Sequence, residues 1–386
     1  MDPLARCLEL KLPKGQSAFL WGPRKTGKTT WLRQLFPDSL SYDLLQTDLA
    51  LTLLKEPARL RQELLAAPAA VRNRPVILDE VQKVPAILDE VHWLIENAGF
   101  QFILCGSSAR KLKAGQANLL GGRAWRAELF PLVSAEIPDL DLLRALNHGL
   151  IPSHYLQKNH ERSLRAYVQD YLKEEVFAEG LTRNLPAFSR FFEAMGYSHG
   201  ELTNYTNIAR DCGVDAKTVK EYYQILVDTL IGNYVLPYSR RSNRQVITKA
   251  PKFYLFDTGV AGFLMRRTLK EERGESFGRA FEHFIYMELI AHRSYRELHY
   301  NLRFWRTRSG LEVDFILGEG EIAVEVKGAS RVDQSELRGI RAFAEEYKPR
   351  RAIVVANEPR ARQVGDIQIL PWRRFLADLW AGKIIH

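Results

Sequence analysis

The sequence predicts an α/β protein with three parts: a parallel sheet near the amino end, a mostly helical middle region and a second α/β module near the carboxyl end. The chain has 386 residues, which is longer than a chain that folds around a single hydrophobic core, so we expect two or three domains. Short apolar runs alternate with helical pieces in the first part, as expected of a sheet covered on both faces. We expect domain boundaries near 1–150, 151–270 and 271–386.

The composition is that of an ordinary globular chain. Apolar residues make up 46% and charged residues 26%, which excludes disordered and collagen-like proteins. No uncharged stretch reaches the ~20 residues that span a bilayer. Asp2 and the scattered charges after it do not fit the pattern of a signal peptide. We therefore expect a cytoplasmic protein without a membrane partner. Three widely spaced cysteines favour free thiols. The net charge of +9 is compatible with a nucleic-acid partner but does not require one.

The secondary structure follows from the apolar patterns. In the first part the candidate strands are 18–22, 40–44, 75–78, 102–105 and 124–129. In the middle, 163–179 has apolar residues at helical spacing and Gly180 ends the helix. Near the carboxyl end the order is a helix from Glu275, three strands, a helix and a strand. The last five of these are 299–306, 311–317, 321–327, 334–347 and 351–355.

A glycine-rich loop follows the first strand and fits the pattern G-x-x-x-x-G-K-[ST] at every position. Such a loop wraps phosphates with backbone N–H groups at a helix N-terminus. Its lysine supplies charge to the β and γ phosphates and its hydroxyl binds Mg²⁺, so the predicted cofactors are ATP and Mg²⁺. The loop consists of Gly22, Pro23, Arg24, Lys25, Thr26, Gly27, Lys28 and Thr29, and Thr30 opens the helix that follows.

Polar residues follow two further strands of the predicted sheet. Asp79 and Glu80 end the strand 75–78, where Asp79 would hold the metal and Glu80 would act as general base. The alternative is the acidic start of a helix. Because neighbouring strand residues point to opposite faces, the two carboxylates should diverge. Ser107 follows the strand 102–105 and would sense the γ-phosphate or the attacking water, or simply cap a helix.

An arginine finger is the remaining part of such a catalytic site. Arg110, Arg123 and Arg126 are the candidates, and we choose Arg123, which follows Leu120-Gly121-Gly122. It would stabilise transition-state charge within its own chain or across a subunit boundary. A surface ion pair is the alternative.

The middle region contains a helix-turn-helix pattern at 204–211 and 215–226, followed by a predicted hairpin of strands 234–238 and 246–256. This arrangement predicts a winged helix whose basic tip contacts the DNA backbone. A protein interface, or a lid on the nucleotide-binding domain, is the alternative. The basic residues of the tip are Arg240, Arg241, Arg244 and Lys249, with Lys252 beyond them.

Two acids and a lysine are brought together by the last predicted hairpin. Glu325 and Lys327 share a strand face, and Asp314 on the neighbouring strand can meet them. Two carboxylates and a lysine are typical of a Mg²⁺-dependent phosphodiesterase, and Glu282 on the preceding helix would complete the metal shell. The alternatives are a strand ion pair on a solvated face and a nuclease-like domain that binds without cutting.

These motifs, together with Gln82 in an Asp-Glu-x-Gln pattern, resemble the prokaryotic AAA+-type ATPases that carry a poorly characterised second domain. The resemblance implies a P-loop (AAA+-like) ATPase that binds and hydrolyses ATP, and a homo-oligomer that can form a ring. The carboxyl-terminal order of elements and the positions of Asp314, Glu325 and Lys327 resemble the restriction-endonuclease-like PD-(D/E)XK fold. The favoured function is an ATPase acting on DNA. The alternative is an ATP-dependent switch whose distal domains bind protein partners and whose nuclease-like domain is inactive.

Overall fold

The computed structural model describes residues 4–108, 120–172, 184–239 and 250–386. The chain divides into two compact units. The first comprises Met1–Pro131 with Asp228–Ile231, and the second comprises Leu132–Val227 with Gly232–His386. No helix in the described ranges is both long enough and apolar enough to cross a membrane.

A five-stranded parallel sheet organises the first unit. Its order is β2-β3-β4-β1-β5, and all five predicted strands are confirmed. Since β4 lies between β1 and β3, the residues that follow these three strands meet at the carboxyl edge of the sheet, where α/β folds place ligands. The strands are β1 (Ser17–Trp21), β2 (Ser41–Asp43), β3 (Val76–Asp79), β4 (Phe102–Gly106) and β5 (Ala124–Glu128).

Helices cover this sheet with apolar faces. The fourth helix buries Ile87, Leu88, Val91 and Leu94, a helical spacing that turns one face towards the core. It ends at Gly99, whose φ of 68° is left-handed. The helices of the first unit are α1 (Lys28–Leu35), α2 (Thr47–Lys55), α3 (Ala58–Ala66) and α4 (Ile87–Ala98).

The second unit begins with a group of helices. The predicted helix 163–179 starts three residues earlier, as α7, and continues as a π-helix over Tyr167–Leu172. The helices are α5 (Leu142–His148), α6 (Pro152–Leu156), α7 (His160–Ala166), α8 (Leu185–Tyr197), α9 (Tyr205–Cys212), α10 (Ala216–Asp228), α11 (Thr258–Leu264), α12 (Glu275–Tyr295), α13 (Arg338–Tyr347) and α14 (Trp372–Trp380).

An eight-stranded mixed sheet completes the second unit, in the order β12-β13-β11-β10-β9-β8-β6-β7. Strands β8, β9 and β10 form an antiparallel meander, and β11 pairs parallel to β10. The order predicted for the carboxyl-terminal elements is therefore observed. The strands are β6 (Gly232–Pro237), β7 (Lys252–Leu255), β8 (Leu302–Arg306), β9 (Glu312–Leu317), β10 (Ile322–Lys327), β11 (Arg351–Ala356), β12 (Arg362–Val364) and β13 (Ile367–Pro371).

The predicted middle region shares this sheet. The helix-turn-helix appears as α9 and α10, and β6 and β7 pair antiparallel as the predicted hairpin requires. However, β6 also pairs with β8 through Leu236 and Arg303. The hairpin is thus an extension of the carboxyl-terminal sheet, because its second edge is hydrogen-bonded.

A buried carboxylate joins the helices of the second unit. Asp257 is fully buried and caps α11 by accepting a hydrogen bond from the Val260 N–H at 2.9 Å. Its other oxygen accepts the N–H groups of Leu150 at 2.6 Å and Ile151 at 3.2 Å. Burial raises the pKa of Asp257 to about 6, although these hydrogen bonds oppose the rise.

Replacement of this carboxylate should be costly. Asp257→Ala leaves three backbone N–H groups without their acceptor in a dry environment, so we expect the free energy of unfolding to fall by about 3–5 kcal/mol. Urea unfolding of the full chain measures it. Asp215→Ala is the matched control, because Asp215 caps α10 at an exposed position and should cost only about 1 kcal/mol. An equal loss of unfolding free energy in the two variants would contradict the role of Asp257 as a buried acceptor for three N–H groups.

Candidate functional site

The glycine-rich loop connects β1 to α1, as the motif predicts. A Cβ atom at Gly22 would lie 2.4 Å from the Leu129 carbonyl oxygen, so a side chain does not fit there. Gly27 has a φ of 92°, a left-handed conformation that favours glycine at the start of α1. Within the loop Gly22, Pro23, Thr26 and Lys28 are buried, Arg24, Gly27 and Thr29 are half-buried, and Lys25 and Thr30 are exposed.

Lys28 is held over the loop by backbone carbonyls. Its ammonium donates to the Gly22 oxygen at 2.6 Å and to the Pro23 oxygen at 3.0 Å, and the side chain is only 5% exposed. Thr26 closes the same turn, with its hydroxyl donating to Pro23 at 2.8 Å. Since neutral carbonyls leave the ammonium charge uncompensated, Lys28 is prepared to receive an anion.

Thr29 and Asp79 meet across the edge of the sheet. The Thr29 hydroxyl donates to Asp79 Oδ2 at 2.5 Å, although fifty positions separate the two residues in the chain. Asp79 Oδ1 accepts the Glu80 N–H at 3.0 Å, which fixes the carboxylate. A hydroxyl and a carboxylate are hard oxygen ligands of the kind that Mg²⁺ takes beside phosphates, so the two residues fit the predicted metal role.

Glu80 lies just past the end of β3 in a left-handed conformation, with a φ of 57°. We expected strand alternation to separate the side chains of Asp79 and Glu80. That explanation is wrong, because the strand ends at Asp79 and the turn that follows sets the direction of Glu80. Glu80 Oε2 accepts the Gln82 amide at 2.5 Å and lies 3.4 Å from the Ser107 hydroxyl. Gln82 also donates to Ser107 at 3.1 Å. These three side chains form one buried group, which we call the Glu80 cluster.

The close approach of Gln82 depends on a glycine. A Cβ at Gly106 would lie 2.5 Å from Gln82 Oε1 and 2.8 Å from the Trp21 ring.

The preceding Cys105 is fully buried, and burial, with Asp79 nearby, raises its thiol pKa well above the usual range. Cys105 is therefore a packing residue and not a nucleophile.

Arg123 lies at the amino ends of the strands, whereas the glycine-rich loop lies at their carboxyl ends. Ser17 at the start of β1 pairs with Ala124, so Arg123 precedes the amino end of β5. Its guanidinium forms an ion pair with Glu96 on α4, which lowers the pKa of that exposed carboxyl. The length of β1, about 16 Å, separates Arg123 from the loop of its own chain. A role across a subunit boundary stays a prediction.

Arg6 is a residue that the sequence did not indicate. Its guanidinium donates to the Thr26 oxygen at 2.7 Å and to the Phe130 oxygen at 2.6 Å. It thereby fixes the back of the glycine-rich loop against the segment after β5. No motif surrounds Arg6 in the sequence, so only the fold reveals this contact.

The predicted basic tip falls largely on residues that are not described. Arg240, Arg241, Arg244 and Lys249 lie outside the described residues. Lys252, which the sequence placed beyond them as part of a DNA-contacting surface, is 4% exposed within β7. That expectation is wrong for Lys252, because strand alternation turns its side chain towards the half-buried carboxylates of Glu282 and Glu312 instead of solvent.

The carboxyl-terminal acids and lysine come together as predicted. Val324 pairs with Phe315, so the same register sets Glu325 opposite Asp314. Lys327 Nζ lies 2.6 Å from Glu325 Oε1, and Asp314 Oδ2 accepts the Val326 N–H at 2.7 Å. Both carboxylates are buried, which disfavours the interpretation as an ion pair on a solvated face.

Burial dominates the electrostatics of this group. Burial, with Glu325 and Glu282 nearby, raises the pKa of Asp314 well above its usual range. Burial also raises the pKa of Glu325, although Lys327 opposes the rise. For Lys327 burial acts to lower the pKa, but the two carboxylates outweigh it and raise the pKa. A nearby cation stabilises the ionised form of such buried carboxylates.

Lys252 supplies one such cation. Its ammonium lies 3.2 Å from Glu282 Oε1 and 2.6 Å from Glu312 Oε1, and the Tyr254 hydroxyl donates to Glu282. The described ranges contain no group of three or more His, Cys, Asp or Glu placed to hold a metal ion. Glu282 is thus engaged by Lys252 and Tyr254 and does not form a three-carboxylate cage with Asp314. The sequence signal for Lys252 is a lysine at the start of the otherwise apolar strand β7.

Comparison with known proteins agrees with the amino-terminal geometry. Residues 14–137 match the family model described as an AAA domain. The first unit therefore carries an AAA domain. This match supports an AAA+ P-loop ATPase and suggests ATPase activity. Residues 139–271 and 277–375 match two models described as domains of unknown function (DUF8612 and DUF4143), so neither assigns chemistry to the second unit.

Two relatives match most of the chain. Uncharacterized protein Rv2008c of Mycobacterium tuberculosis and uncharacterized protein Mb2031c of Mycobacterium bovis are each 25% identical over 320 residues, covering 81% of this chain and 70% of the relative.

Two solved structures share a distant similarity with the chain. The ORC1 protein of Aeropyrum pernix in complex with DNA is 15% identical, with a TM-score of 0.29, over 66% of this chain and 87% of that one. A signal transduction ATPase with numerous domains and a tetratricopeptide repeat sensor, from Pyrococcus horikoshii, is 12% identical, with a TM-score of 0.19, over 76% and 50%. TM-scores this low do not establish a common fold.

Proposed function

We propose that this protein is an ATPase whose AAA domain hydrolyses ATP and thereby drives or switches an action on DNA. The observation that carries the proposal is the hydrogen bond between Thr29 and Asp79 beside the buried Lys28. It joins the glycine-rich loop to the acidic end of β3, which is the arrangement that phosphoryl transfer from a nucleoside triphosphate requires.

Each residue of this site has a separate role. Backbone N–H groups of the loop and the Lys28 ammonium bind the phosphates. Thr29 and Asp79 would hold Mg²⁺, which when bound neutralises charge on the β and γ oxygens. Glu80 accepts the proton of the water that attacks the γ-phosphorus, and ADP departs with its new terminal charge. Gln82 and Ser107 fix the Glu80 carboxylate and present polar groups to the water.

The second unit contributes the action on DNA in this proposal. The element order from α12 to β11 and the group Asp314, Glu325 and Lys327 support a PD-(D/E)XK-like module. The helix-turn-helix of α9 and α10 presents exposed Lys217 and Lys220, which suit phosphate contacts. ATP turnover that rises with duplex or single-stranded DNA at moderate salt would support the proposal, and turnover and binding indifferent to both would overturn it.

A second candidate function is favoured by Lys252. Its ammonium already pairs with Glu282 and Glu312, and this leaves Asp314 and Glu325 as the acids able to face a metal. In this candidate the module binds without cutting, and the chain is an ATP-dependent switch that acts through its distal domains.

Cleavage of DNA separates the two candidates. If the module cuts, the full chain should nick supercoiled plasmid in Mg²⁺, and Lys327→Ala should slow nicking about 100-fold because the ammonium beside Glu325 is lost. Lys383→Ala removes an exposed lysine and is the control. Absence of Mg²⁺-dependent nicking by the wild type, or nicking unchanged in Lys327→Ala, would favour the switch.

An arginine donated between subunits gives a further prediction. If Arg123 acts on a neighbouring chain, ATP turnover per chain should rise with protein concentration, and Arg123→Ala should remove most of the rise. Arg126→Ala is the matched control, because Arg126 is an exposed arginine on β5, the strand that follows Arg123. Turnover per chain that is constant across the concentration range, or unaffected by Arg123→Ala, would rule out this role.

A further inference from the structure

A separate cavity of about 300 Å³ lies within the second unit. On one side it is lined by α7 and the π-helix that follows, and on the other by α8, α11 and the turn after α11. Its buried floor is apolar and consists of Leu164, Val168, Phe192 and Leu264. This volume is at the lower end of the range for small-molecule sites, so the cavity suits a compact ligand.

Arg267 brings a positive charge to the lining of this cavity. One of its terminal nitrogens donates to the Leu146 oxygen at 3.2 Å and to the Thr258 oxygen at 3.3 Å. Its Nε is buried and has no hydrogen-bond partner within the described ranges. Burial lowers the pKa of Arg267 to about 10, and no carboxylate of the described residues opposes the shift. A guanidinium in this state lacks a counter-ion, which is costly unless an anion supplies one.

A second unsatisfied nitrogen lies on the cavity wall. His160 stacks on His148 with their ring centroids 3.5 Å apart, and its Nδ1 is buried without a hydrogen-bond partner in the described part of the chain. The acidic side chains that line the cavity, Glu161 and Glu193, are exposed. The Arg267 Nε–H can only donate, and His160 Nδ1 donates in the tautomer that carries its proton there, so the pair suits a ligand that accepts hydrogen bonds.

We propose that this cavity binds a small organic acid, with its carboxylate on Arg267 and its apolar body against the floor. A guanidinium pairs with a carboxylate through charge-assisted hydrogen bonds, which are stronger in an environment of low dielectric constant. The apolar floor selects an organic acid over a fully hydrated inorganic anion, because burial of the ligand's hydrocarbon adds to its affinity. The site is independent of the ATPase proposal, since all of its residues belong to the second unit.

Calorimetric titration of the full chain with benzoate, and with its uncharged counterpart benzamide, tests this proposal. Benzoate should bind at least about tenfold more tightly, because benzamide cannot form the charged pair. Arg267→Gln should remove this tenfold preference. Leu164→Trp fills the floor with a larger side chain and should weaken both compounds while the guanidinium is retained. Arg273→Gln is the control, because Arg273 is an exposed arginine paired with Glu271.

Three results would overturn the proposal. The first is binding of benzoate no tighter than that of benzamide, and the second is a preference for benzoate that survives in a folded Arg267→Gln. Circular dichroism establishes whether each variant is folded. If Arg267→Gln unfolds, Arg267→Lys retains the charge without the Nε–H and should show a weaker preference for benzoate. An unchanged preference in a folded Arg267→Lys is the third result.

Discussion

Lys28→Ala is expected to weaken ATP binding about 100-fold or more, or about 2.7 kcal/mol. The ammonium lies buried over the loop, where two backbone carbonyls hold it without neutralising its charge. A bound triphosphate would exchange these carbonyls for much stronger charged contacts in a partly dry pocket. Fluorescence titration with a labelled ATP analogue measures the loss.

The neighbouring lysine provides the control for this experiment. Lys25 belongs to the same loop and carries the same charge, but its side chain is exposed. Lys25→Ala should therefore change affinity much less than Lys28→Ala, since solvent and salt screen an exposed charge. Equal effects would mean that general electrostatic attraction, and not the position of Lys28, holds the nucleotide. An unchanged affinity in Lys28→Ala would reject this loop as the nucleotide site.

Glu80→Gln is expected to leave ATP binding intact and to slow hydrolysis by about 10²–10⁴-fold, the usual contribution of a positioned general base. The amide has nearly the same shape as the carboxylate, so contacts with Gln82 and Ser107 are the parts of the site most disturbed. Single-turnover hydrolysis separates the chemical step from binding and product release.

Two further variants make the Glu80 result interpretable. Asp89→Asn removes an exposed carboxylate from α4 and should have no effect on turnover. Gln82→Ala removes a hydrogen bond to Glu80 and should slow hydrolysis less than Glu80→Gln does, because the base itself is retained. Normal turnover in Glu80→Gln would show that another group accepts the proton.

Local patterns were sufficient to predict most of the first unit. Three of the five strands, β1, β3 and β4, are short apolar runs that are buried throughout. The loop is determined by two glycines: a side chain does not fit at Gly22, and Gly27 has a left-handed backbone. The meeting of Thr29 with Asp79 also followed, because parallel strands end at the same edge. The strand order was not predicted, since pairing between distant segments leaves no local signal.

The features that the sequence missed depend on long-range placement. Arg6 contacts the loop from far along the chain, and Lys252 meets carboxylates on α12 and β9. The turn at Glu80 depends on a left-handed backbone that a glutamate rarely adopts. A charged residue among apolar neighbours, as at Lys252, indicates a buried partner but does not say which one.

The most direct test of the AAA domain as an ATP hydrolase is phosphate release from ATP by the full chain, in Mg²⁺ and in EDTA, for the wild type and for Asp79→Asn. Asp79 accepts the Thr29 hydroxyl and would hold the metal, so its amide variant should lose most of the Mg²⁺-dependent rate. We predict hydrolysis that requires Mg²⁺ and falls about 100-fold or more in Asp79→Asn. Hydrolysis that is equal in EDTA, or undiminished in Asp79→Asn, would contradict this account of the site.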